Sequence, residues 1–216
     1  MKRRDFLRLS VLFLGGCAVS PKSTFTSATS TTTANSLAAL PTAVQPEVAN
    51  CRWAPIVAPK PAPWPGLDQV DADGLHVTAK GVLIEPDIYR LKITGLVDHP
   101  LDLTLDDLRC MPKMTAKNNL TCPGEFEDVT SWSGVPFQYL MKVAGVQKGA
   151  KSINMLGADQ FRAYSTLDNA MQEYNFLAYQ WKDQPLPILH GFPVRAVIAT
   201  SDGYAWVKWL MEIQVS

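Results

Sequence analysis

The sequence has no excess of charge of either sign, because 20 lysines and arginines balance 20 aspartates and glutamates. Beyond the first few residues it also has no basic block, and this argues against a nucleic-acid-binding surface. No internal repeat is visible. The apolar run that ends at Gly16 is too short to span a bilayer comfortably as a mature helix. What remains points to a small globular domain behind an N-terminal targeting segment.

The first residues have the pattern of a removable signal, since a basic start precedes a brief apolar core. The adjacent arginines Arg3 and Arg4, followed by Phe6 and Leu7, resemble a twin-arginine signal. An ordinary secretory signal, which also carries basic residues, is the alternative.

The stretch "LGGC" then resembles a bacterial lipoprotein box, in which Cys17 receives lipid and becomes the mature N-terminus. Ordinary cleavage near Ala18 is the alternative. We therefore predict a signal over residues 1–17 and an exported protein, periplasmic or at the cell surface and anchored to a membrane by its N-terminal lipid.

Residues 18–66 are first rich in serine and threonine and then rich in proline. Such a composition has too little apolar bulk to fold, so it predicts a tether. The folded domain is then expected over residues 67–216, a length sufficient for one domain with its own core.

The chain has four cysteines, at positions 17, 51, 110 and 122. In an oxidising compartment Cys51 and Cys110 could pair and join the proline-rich segment to the domain, although sequence alone cannot confirm that pairing. Cys122 is then left over. It is either an inert buried residue or a functional thiol.

The apolar periodicity predicts an α+β fold, because strands and short helices are mixed without a regular alternation. Helices are expected over 103–111, N-capped by Thr104, over 135–146, closed by Gly145, and over 166–175. Strands are expected over 87–97, 118–122, 151–157, 161–167, 192–200 and 205–215.

Four features carry possible chemistry: Cys122 beside a Pro-Gly turn, Tyr164, the stretch "HGFPVR" from His190 to Arg195, and Lys208. Each taken alone has a structural explanation as a packing, turn or solvent-facing residue. If the last two strands pair, Arg195, Lys208 and His190 could line one groove. Such a groove suits an anion with phosphate and ring nitrogens, and a nearby thiolate is a soft metal ligand.

These stretches resemble the molybdopterin-binding oxidoreductase domain of the sulfite oxidase superfamily. The matching sequence segments are "YRLKITGLVDHPLDLTLDDL", "LTCPG", "SWSGVPFQYLMKVAGV", "AYSTLDNAM", "LAYQWKDQPLPILHGFPVRAVI" and "VKWLMEIQV". They occur in the family's order and cover nearly all of residues 88–215. The resemblance implies a mixed-sheet fold that binds a molybdopterin-type molybdenum cofactor.

The resemblance also assigns roles to residues. It implies that the Cys122 thiolate is the metal ligand and that Tyr164 matches a tyrosine near the metal. The residues implied in cofactor binding are His190, Arg195, Lys208, the backbone of Trp206 and Val207, and Gly157.

The implied activity is two-electron oxygen-atom transfer, with a small-molecule substrate that the sequence does not identify. Because no haem motif is visible, a cytochrome or a quinol-linked membrane protein is expected as the electron partner. The alternatives are an exported binding module that has lost the cofactor, and a cofactor carrier.

The sequence departs from sulfite oxidases at two places. It has no Arg-Asn-His segment before the domain, where "DADGLHVTAKG" stands instead. After Cys122 it has Glu125, Glu127 and Asp128, which would repel sulfite if they approached the metal. The exported methionine-sulfoxide reductases are closer in size, but their residues before the cysteine are not clearly matched. A solvated loop is the alternative for these three acidic residues.

Overall fold

The computed structural model describes Cys51 and residues 54–216. The predicted signal, the lipid site at Cys17 and the tether up to residue 50 lie outside the described residues. Residues 54–66 belong to neither a helix nor a strand. A disulfide joins Cys51 to Cys110 and confirms the pairing that the sequence suggested.

Twelve strands and three short helices follow along the chain. The strands are β1 (Gln69–Val70), β2 (His76–Val77), β3 (Leu91–Gly95), β4 (Leu101–Leu103), β5 (Met114–Cys122), β6 (Phe126–Pro136), β7 (Ser152–Gly157), β8 (Arg162–Thr166), β9 (Phe176–Trp181), β10 (Gln184–Pro185), β11 (Arg195–Val197) and β12 (Leu210–Val215). The helices are α1 (Leu105–Cys110), α2 (Phe137–Ala144) and α3 (Leu167–Ala170). Short 3-10 turns lie at Pro86–Ile88, Ile188–His190 and Gly203–Ala205.

The strands form two five-stranded sheets and one small hairpin. One sheet has the order β10-β9-β6-β5, with β11 also paired to β9. The other has the order β4-β3-β12-β7-β8, in which β12 is parallel to β3 and antiparallel to β7. The hairpin of β1 and β2 forms a separate two-stranded sheet. Sheets with a few short helices are the α+β architecture that the sequence predicts.

Local sequence signals explain how several elements begin and end. Thr104 caps α1 through a reciprocal capping box with Asp107, as the Thr-x-x-Asp spacing allows. Gly145 ends α2 in the left-handed conformation, which glycine adopts without a side-chain clash. In β3 the buried side chains of Leu91 and Ile93 alternate with the less buried Lys92 and Thr94.

Three details of the prediction were wrong. Helix α3 ends at Ala170 instead of continuing to residue 175, and Tyr174 is exposed. The predicted strand over 192–200 is regular only in β11, and β12 begins after Lys208. The last two strands do not pair with each other, since β11 pairs with β9 and β12 with β3 and β7.

The segments before β12 nevertheless adjoin β11 through two backbone hydrogen bonds. Ala196 N–H donates to the carbonyl of Val207, and Leu210 N–H donates to the carbonyl of Val194. The groove that the sequence analysis expected therefore forms by a different route. Among the residues that the structure describes, no helix combines the length and the apolar character needed to cross a bilayer.

Candidate functional site

A cleft of about 290 Å³ collects most of the residues that the sequence singled out. Cys122, His190, Arg195, Trp206 and Lys208 all line it. They come from the end of β5, from the 3-10 turn before β11, from β11 itself and from the segment before β12. The fold thus brings together residues that are up to 86 positions apart, from Cys122 to Lys208.

Cys122 ends β5 and faces Phe126 across the hairpin that β5 and β6 form. It is a free cysteine and is partly buried. Gly203 lies directly against it, because a Cβ added at Gly203 would stand 2.9 Å from the Cys122 Sγ. The glycine therefore leaves room for the sulfur at the wall of the cleft.

The free protein keeps Cys122 as a thiol. Burial raises the pKa of this thiol, and nearby negative charge raises the pKa further because it disfavours the thiolate. The contributing carboxylates, in decreasing order, are those of Asp128, Asp68, Asp202 and Glu125. A bound cation would lower the pKa of this thiol, because positive charge stabilises the thiolate.

Arg195 is 2% exposed, and no ion pair with a carboxylate is found for it among the described residues. Its guanidinium donates to the carbonyls of His190 and Trp206, at 3.2 Å each, and lies 4.7 Å from the Trp132 ring centre. Its Nε–H is buried, and it has no hydrogen-bond partner in the part of the chain that the structure describes. Burial lowers the pKa of Arg195 to about 9, which leaves it charged at neutral pH.

Lys208 is a second cation at the same cleft. Its Nζ donates to the carbonyl of Leu189 at 3.1 Å. No other hydrogen-bond partner of Nζ is found within residues 54–216, so two of its three hydrogens can serve a ligand. Burial, and then the charge of Arg195, lower the pKa of Lys208 to about 7. A bound anion would stabilise both cations, because it would replace the hydration that burial removes.

His190 contributes a neutral ring instead of a third cation. Burial lowers its pKa to about 4, although the hydrogen bond to Asp71 acts in the opposite direction. Its Nε2 lies 2.7 Å from the Asp71 Oδ2, and both side chains are nearly inaccessible. Since a carboxylate only accepts, Nε2 carries the hydrogen.

Two further predicted residues support the cleft without lining it. A Cβ added at Gly157 would stand 2.7 Å from the carbonyl of Lys208, so this glycine permits close packing behind the lysine. Val207 is buried, and its carbonyl is already bonded to Ala196. The Trp206 carbonyl accepts from Arg195, and the cofactor-binding roles of the Trp206 and Val207 backbones stay predictions.

The structure does not bring Tyr164 into the cleft. Tyr164 lies on β8 with 51% of its side chain exposed, and it pairs with Asn154 of β7. The tyrosine at the cleft is Tyr204, in the turn that carries Gly203.

Sequence reasoning missed several residues that line the cleft. They are His76, Thr78, Ala79, Leu120, Phe126, Asp159, Phe161, Gly203 and Tyr204. For His76 a signal was present, since "GLHV" stands in the region where sulfite oxidases have the Arg-Asn-His segment that this chain lacks. Only the fold shows that this segment forms the β1–β2 hairpin and reaches the cleft.

The acidic residues after Cys122 do not behave as one group. Asp128 is 5% exposed and bonds His76, and Glu125 adds negative charge near the Cys122 thiol. Glu127 is exposed and instead accepts a hydrogen bond from Asn119 at 2.6 Å. The expectation of a purely solvated loop is therefore wrong for Asp128 and fits Glu127.

Taken together, the cleft is lined by the buried cation of Arg195, the partly buried cation of Lys208 and the soft thiol ligand of Cys122. This arrangement can hold an anion, such as a phosphate, against Arg195 and Lys208 while Cys122 binds a metal.

Comparison with protein families agrees with this chemistry. The sequence family described as the oxidoreductase molybdopterin binding domain matches residues 76–216. The match covers every cleft residue named above, because His76 is the first of them in the chain.

Individual proteins are similar over the same region. The chain is 31% identical to an uncharacterized oxidoreductase, YuiH, of Bacillus subtilis over 127 residues, which is 58% of this chain and 64% of that protein. It is 31% identical to the mitochondrial sulfite oxidase of Rattus norvegicus over 162 residues, or 61% of this chain and 30% of the oxidase. The chain thus spans less than two thirds of either relative.

A solved structure shares the fold. The crystal structure of the sulfane dehydrogenase SoxCD from Paracoccus pantotrophus superposes with a TM-score of 0.60 and 25% sequence identity. The superposition covers 65% of this chain and 41% of the SoxCD chain.

Proposed function

Because the chain belongs to the family of oxidoreductase molybdopterin binding domains, whose cofactor is the molybdopterin-type molybdenum cofactor, we propose that it is an exported enzyme for oxygen-atom transfer. Cys122 is proposed as the metal ligand. The substrate is a small molecule, and the net reduction XO + 2H⁺ + 2e⁻ → X + H₂O, or its reverse, balances the step.

One observation carries this proposal: the buried Arg195 and the partly buried Lys208 stand at the cleft without an ion pair to a carboxylate among the described residues. Leaving a buried charge uncompensated costs several kcal/mol, so such pairs persist where a ligand supplies the opposite charge. The unpartnered Nε–H of Arg195 also fits a ligand that accepts hydrogen bonds.

The residues present therefore fit the cofactor. Arg195 offers a planar donor group and Lys208 a point charge, and these two together suit the phosphate of the pterin. His190, held by Asp71, presents a neutral ring with a fixed tautomer beside them. When bound, the cofactor supplies a molybdenum centre that exchanges two electrons with the substrate.

Cys122 must lose its proton to bind a metal. The raised pKa of this thiol means that metal binding near neutral pH releases a proton from the protein. Gly203 leaves space beside the sulfur, and Tyr204 lines the cleft. We assign the substrate-side tyrosine to Tyr204 instead of Tyr164.

Export is proposed from the twin-arginine-like start, and membrane anchoring by lipid is proposed at Cys17. The Cys51–Cys110 disulfide supports a location outside the cytoplasm, because structural disulfides persist in oxidising compartments. The expected electron partner is a cytochrome or a quinol-linked membrane protein.

Metal analysis tests the proposal. Full-length protein expressed with molybdate is expected to hold near-stoichiometric molybdenum and pterin. Cys122→Ser is expected to lose molybdenum, whereas Tyr164→Phe, on an exposed strand face, is expected to retain it. Reduced viologen is then offered with S-oxides and N-oxides, and sulfite oxidation is measured in parallel.

Protein without metal that is unaffected by Cys122→Ser would contradict the proposal and indicate a binding module of the same fold. Protein that binds pterin, releases it readily and shows no turnover would instead indicate a cofactor carrier.

A further inference from the structure

The cleft contains a histidine–carboxylate pair that the proposed function does not use. His76 lies on β2, lines the cleft and has 26% of its side chain exposed. The nearly buried Asp128 carboxylate accepts from the His76 backbone N–H at 2.8 Å and lies 2.7 Å from the ring Nδ1. Since a carboxylate only accepts, Nδ1 carries the hydrogen, and the neutral ring has a lone pair at Nε2.

Phe126 fixes the plane of the same ring. The two ring centres are 4.3 Å apart, and their planes are inclined by only 8°. Phe126 is also the residue opposite Cys122 in the β5–β6 hairpin, so the ring lies toward the end of β5 that carries the proposed metal ligand. For Nε2 no hydrogen bond is found to any residue that the structure describes. The position, tautomer and plane of the ring are therefore set before any ligand arrives.

A lone pair at the cleft can serve only a partner that donates a hydrogen. The oxygen of an S-oxide or N-oxide has none to donate, but water has two. In the oxidative direction of the proposed reaction, X + H₂O → XO + 2H⁺ + 2e⁻, water gives up both hydrogens as protons. A neutral imidazole that a carboxylate orients from behind is the arrangement of a general base.

The other titratable groups that line the cleft are less suited to this role. The Nε2 of His190 donates to Asp71 and has no lone pair to offer. The Oδ1 of Asp159 already accepts from the backbone N–H of Phe161 at 3.0 Å. The remaining groups are either placed against the cofactor or carry no base at neutral pH; they are Cys122, Arg195, Tyr204 and Lys208.

We propose that His76 is the proton acceptor of the cleft, and that its Nε2 takes a proton from the water that supplies the transferred oxygen. Asp128 and Phe126 are its positioning residues, and Asp128 also stabilises the imidazolium that forms. The O–H bond breaks with its electron pair left on oxygen, and a new N–H bond forms at Nε2. The ring then passes this proton to solvent, solvent takes the second proton, and the two electrons end on the electron-transfer partner. The proposal rests on the proposed function.

Diethyl pyrocarbonate tests the free lone pair without turnover and without molybdenum, because it acylates only an unprotonated imidazole nitrogen. The chain has three histidines. We expect modification at His76 and at the exposed His99, and none at the buried His190, as measured by mass spectrometry of peptides. Nitrogen-15 spectra should place the hydrogen of His76 on Nδ1 in the wild type and show a mixture of tautomers in Asp128→Asn.

Kinetics of the molybdenum-loaded protein tests the proton transfer. Dimethyl sulfide, with ferricyanide as electron acceptor, is a suitable substrate because it does not titrate. Wild-type kcat/KM should rise with pH as the His76 ring loses its second proton, and dimethyl sulfoxide reduction should show the opposite trend. His76→Gln should lower kcat/KM about 100-fold at unchanged molybdenum content and lose this part of the pH profile. His99→Gln should change neither.

Added imidazole separates proton transfer from a structural role. In His76→Gly a free imidazole can enter the vacated space and should restore activity about tenfold, whereas in His76→Gln the amide fills that space and no rescue is expected. Wild-type kinetics in His76→Gln, loss of activity in His76→Gly without rescue, or a His76 that does not react with diethyl pyrocarbonate would overturn the role of His76. Protein without molybdenum whose His76 reacts would contradict only the proposed function.

Discussion

The Nε2 of His190 lies 2.7 Å from the Oδ2 of Asp71, and the two residues are separated by 119 positions in the sequence. Asp71 belongs to the turn between β1 and β2, so this bond joins the N-terminal hairpin to the cation-bearing wall of the cleft. Both side chains are almost fully buried. A buried histidine without its acceptor would be left unsatisfied, which makes Asp71 a residue that orients the ring proposed to bind the cofactor.

Asp71→Asn tests that orientation. An asparagine Oδ1 can still accept from Nε2, but its side chain no longer carries the negative charge that stabilises the Lys208 cation, and its amide can also donate to the ring and force the other tautomer. We expect the free energy of unfolding to fall by about 1–3 kcal/mol and the retained pterin after dialysis to decrease. Urea denaturation and pterin fluorescence measure the two effects. Asp87→Asn, at an exposed carboxylate, is the control and should change neither.

The two cations of the cleft lower the stability of the cofactor-free protein and favour anion binding. Lys208→Met tests this for one of them. The pKa of Lys208 is 10.5 ordinarily and about 7 in the folded protein. Between these values the unfolded chain binds a proton that the folded chain does not, so the contribution of Lys208 to stability rises with pH across this window. Below pH 7 the buried charge destabilises the unliganded protein most.

The cofactor-free Lys208→Met variant is therefore expected to be more stable than the wild type near pH 6, by on the order of 3 kcal/mol. The gain should shrink toward pH 10.5, as followed by urea denaturation at each pH. Pterin retention should be lower in Lys208→Met, and in the wild type it should weaken as pH rises above 7. A gain in stability that did not depend on pH would contradict the role of the charge.

How far the sequence predicts this fold depends on the range of the interactions. Local signals succeed where a few neighbouring residues decide the structure, as at the Thr104 cap of α1 and the Gly145 end of α2. They fail for α3, where the chain leaves the helix after one turn although the apolar spacing continues. Strand pairing fails as well, because β11 and β12 are neighbours in sequence but lie in different sheets.

The residues of the site divide in the same way, into those with a local sequence signal and those that depend on long-range contacts. Cys122, His190, Arg195 and Lys208 could be singled out, because a thiol on a turn and cations among apolar residues are unusual locally. The contact between His76 and Asp128 could not be predicted, since the two residues are 52 positions apart and come together only when the N-terminal hairpin meets the β5–β6 hairpin.

Gly203→Ala tests whether the space beside the thiol is needed. The new methyl group would stand 2.9 Å from the Cys122 Sγ and 3.0 Å from the Leu120 Cδ1, so the sulfur has to move. We expect a loss of about 1–3 kcal/mol in the free energy of unfolding and a clear loss of bound molybdenum.

Gly81→Ala is the control for overpacking, because its methyl group would press on Ile188 at 2.8 Å and does not contact Cys122. Gly81→Ala should lower the free energy of unfolding by an amount comparable to that of Gly203→Ala. It should keep the reactivity of the Cys122 thiol toward a disulfide reagent. Equal loss of molybdenum in both variants would show that the space beside Cys122 has no special role.

The disulfide between Cys51 and Cys110 closes a loop whose ends are 59 positions apart. Crosslinks of this span restrict the unfolded chain, so Cys110→Ser is expected to lower the free energy of unfolding by about 2–4 kcal/mol. Cys51→Ser should have the same effect, and the double variant should be no worse than either single variant. Additive losses in denaturant titrations would mean that the two cysteines stabilise the fold separately.

Carboxylates near Cys122 are expected to disfavour sulfite as a substrate. Asp128, Asp68, Asp202 and Glu125 act on the thiol with negative charge. A dianion that approaches the metal ligand meets this repulsion at short range, whereas an uncharged S-oxide or N-oxide does not. The wild type should therefore reduce uncharged oxides with a higher kcat/KM than it oxidises sulfite.

Replacing two of these carboxylates, in Glu125→Gln with Asp202→Asn, should raise kcat/KM for sulfite about 2- to 10-fold at low ionic strength and leave kcat/KM for dimethyl sulfoxide nearly unchanged. The gain should fall as salt is added, because both carboxylates are exposed and screened. Glu127→Gln is the matched control, since that carboxylate bonds Asn119 and does not act on Cys122. An equal gain in Glu127→Gln would assign the effect to net charge instead of to the charges at the cleft.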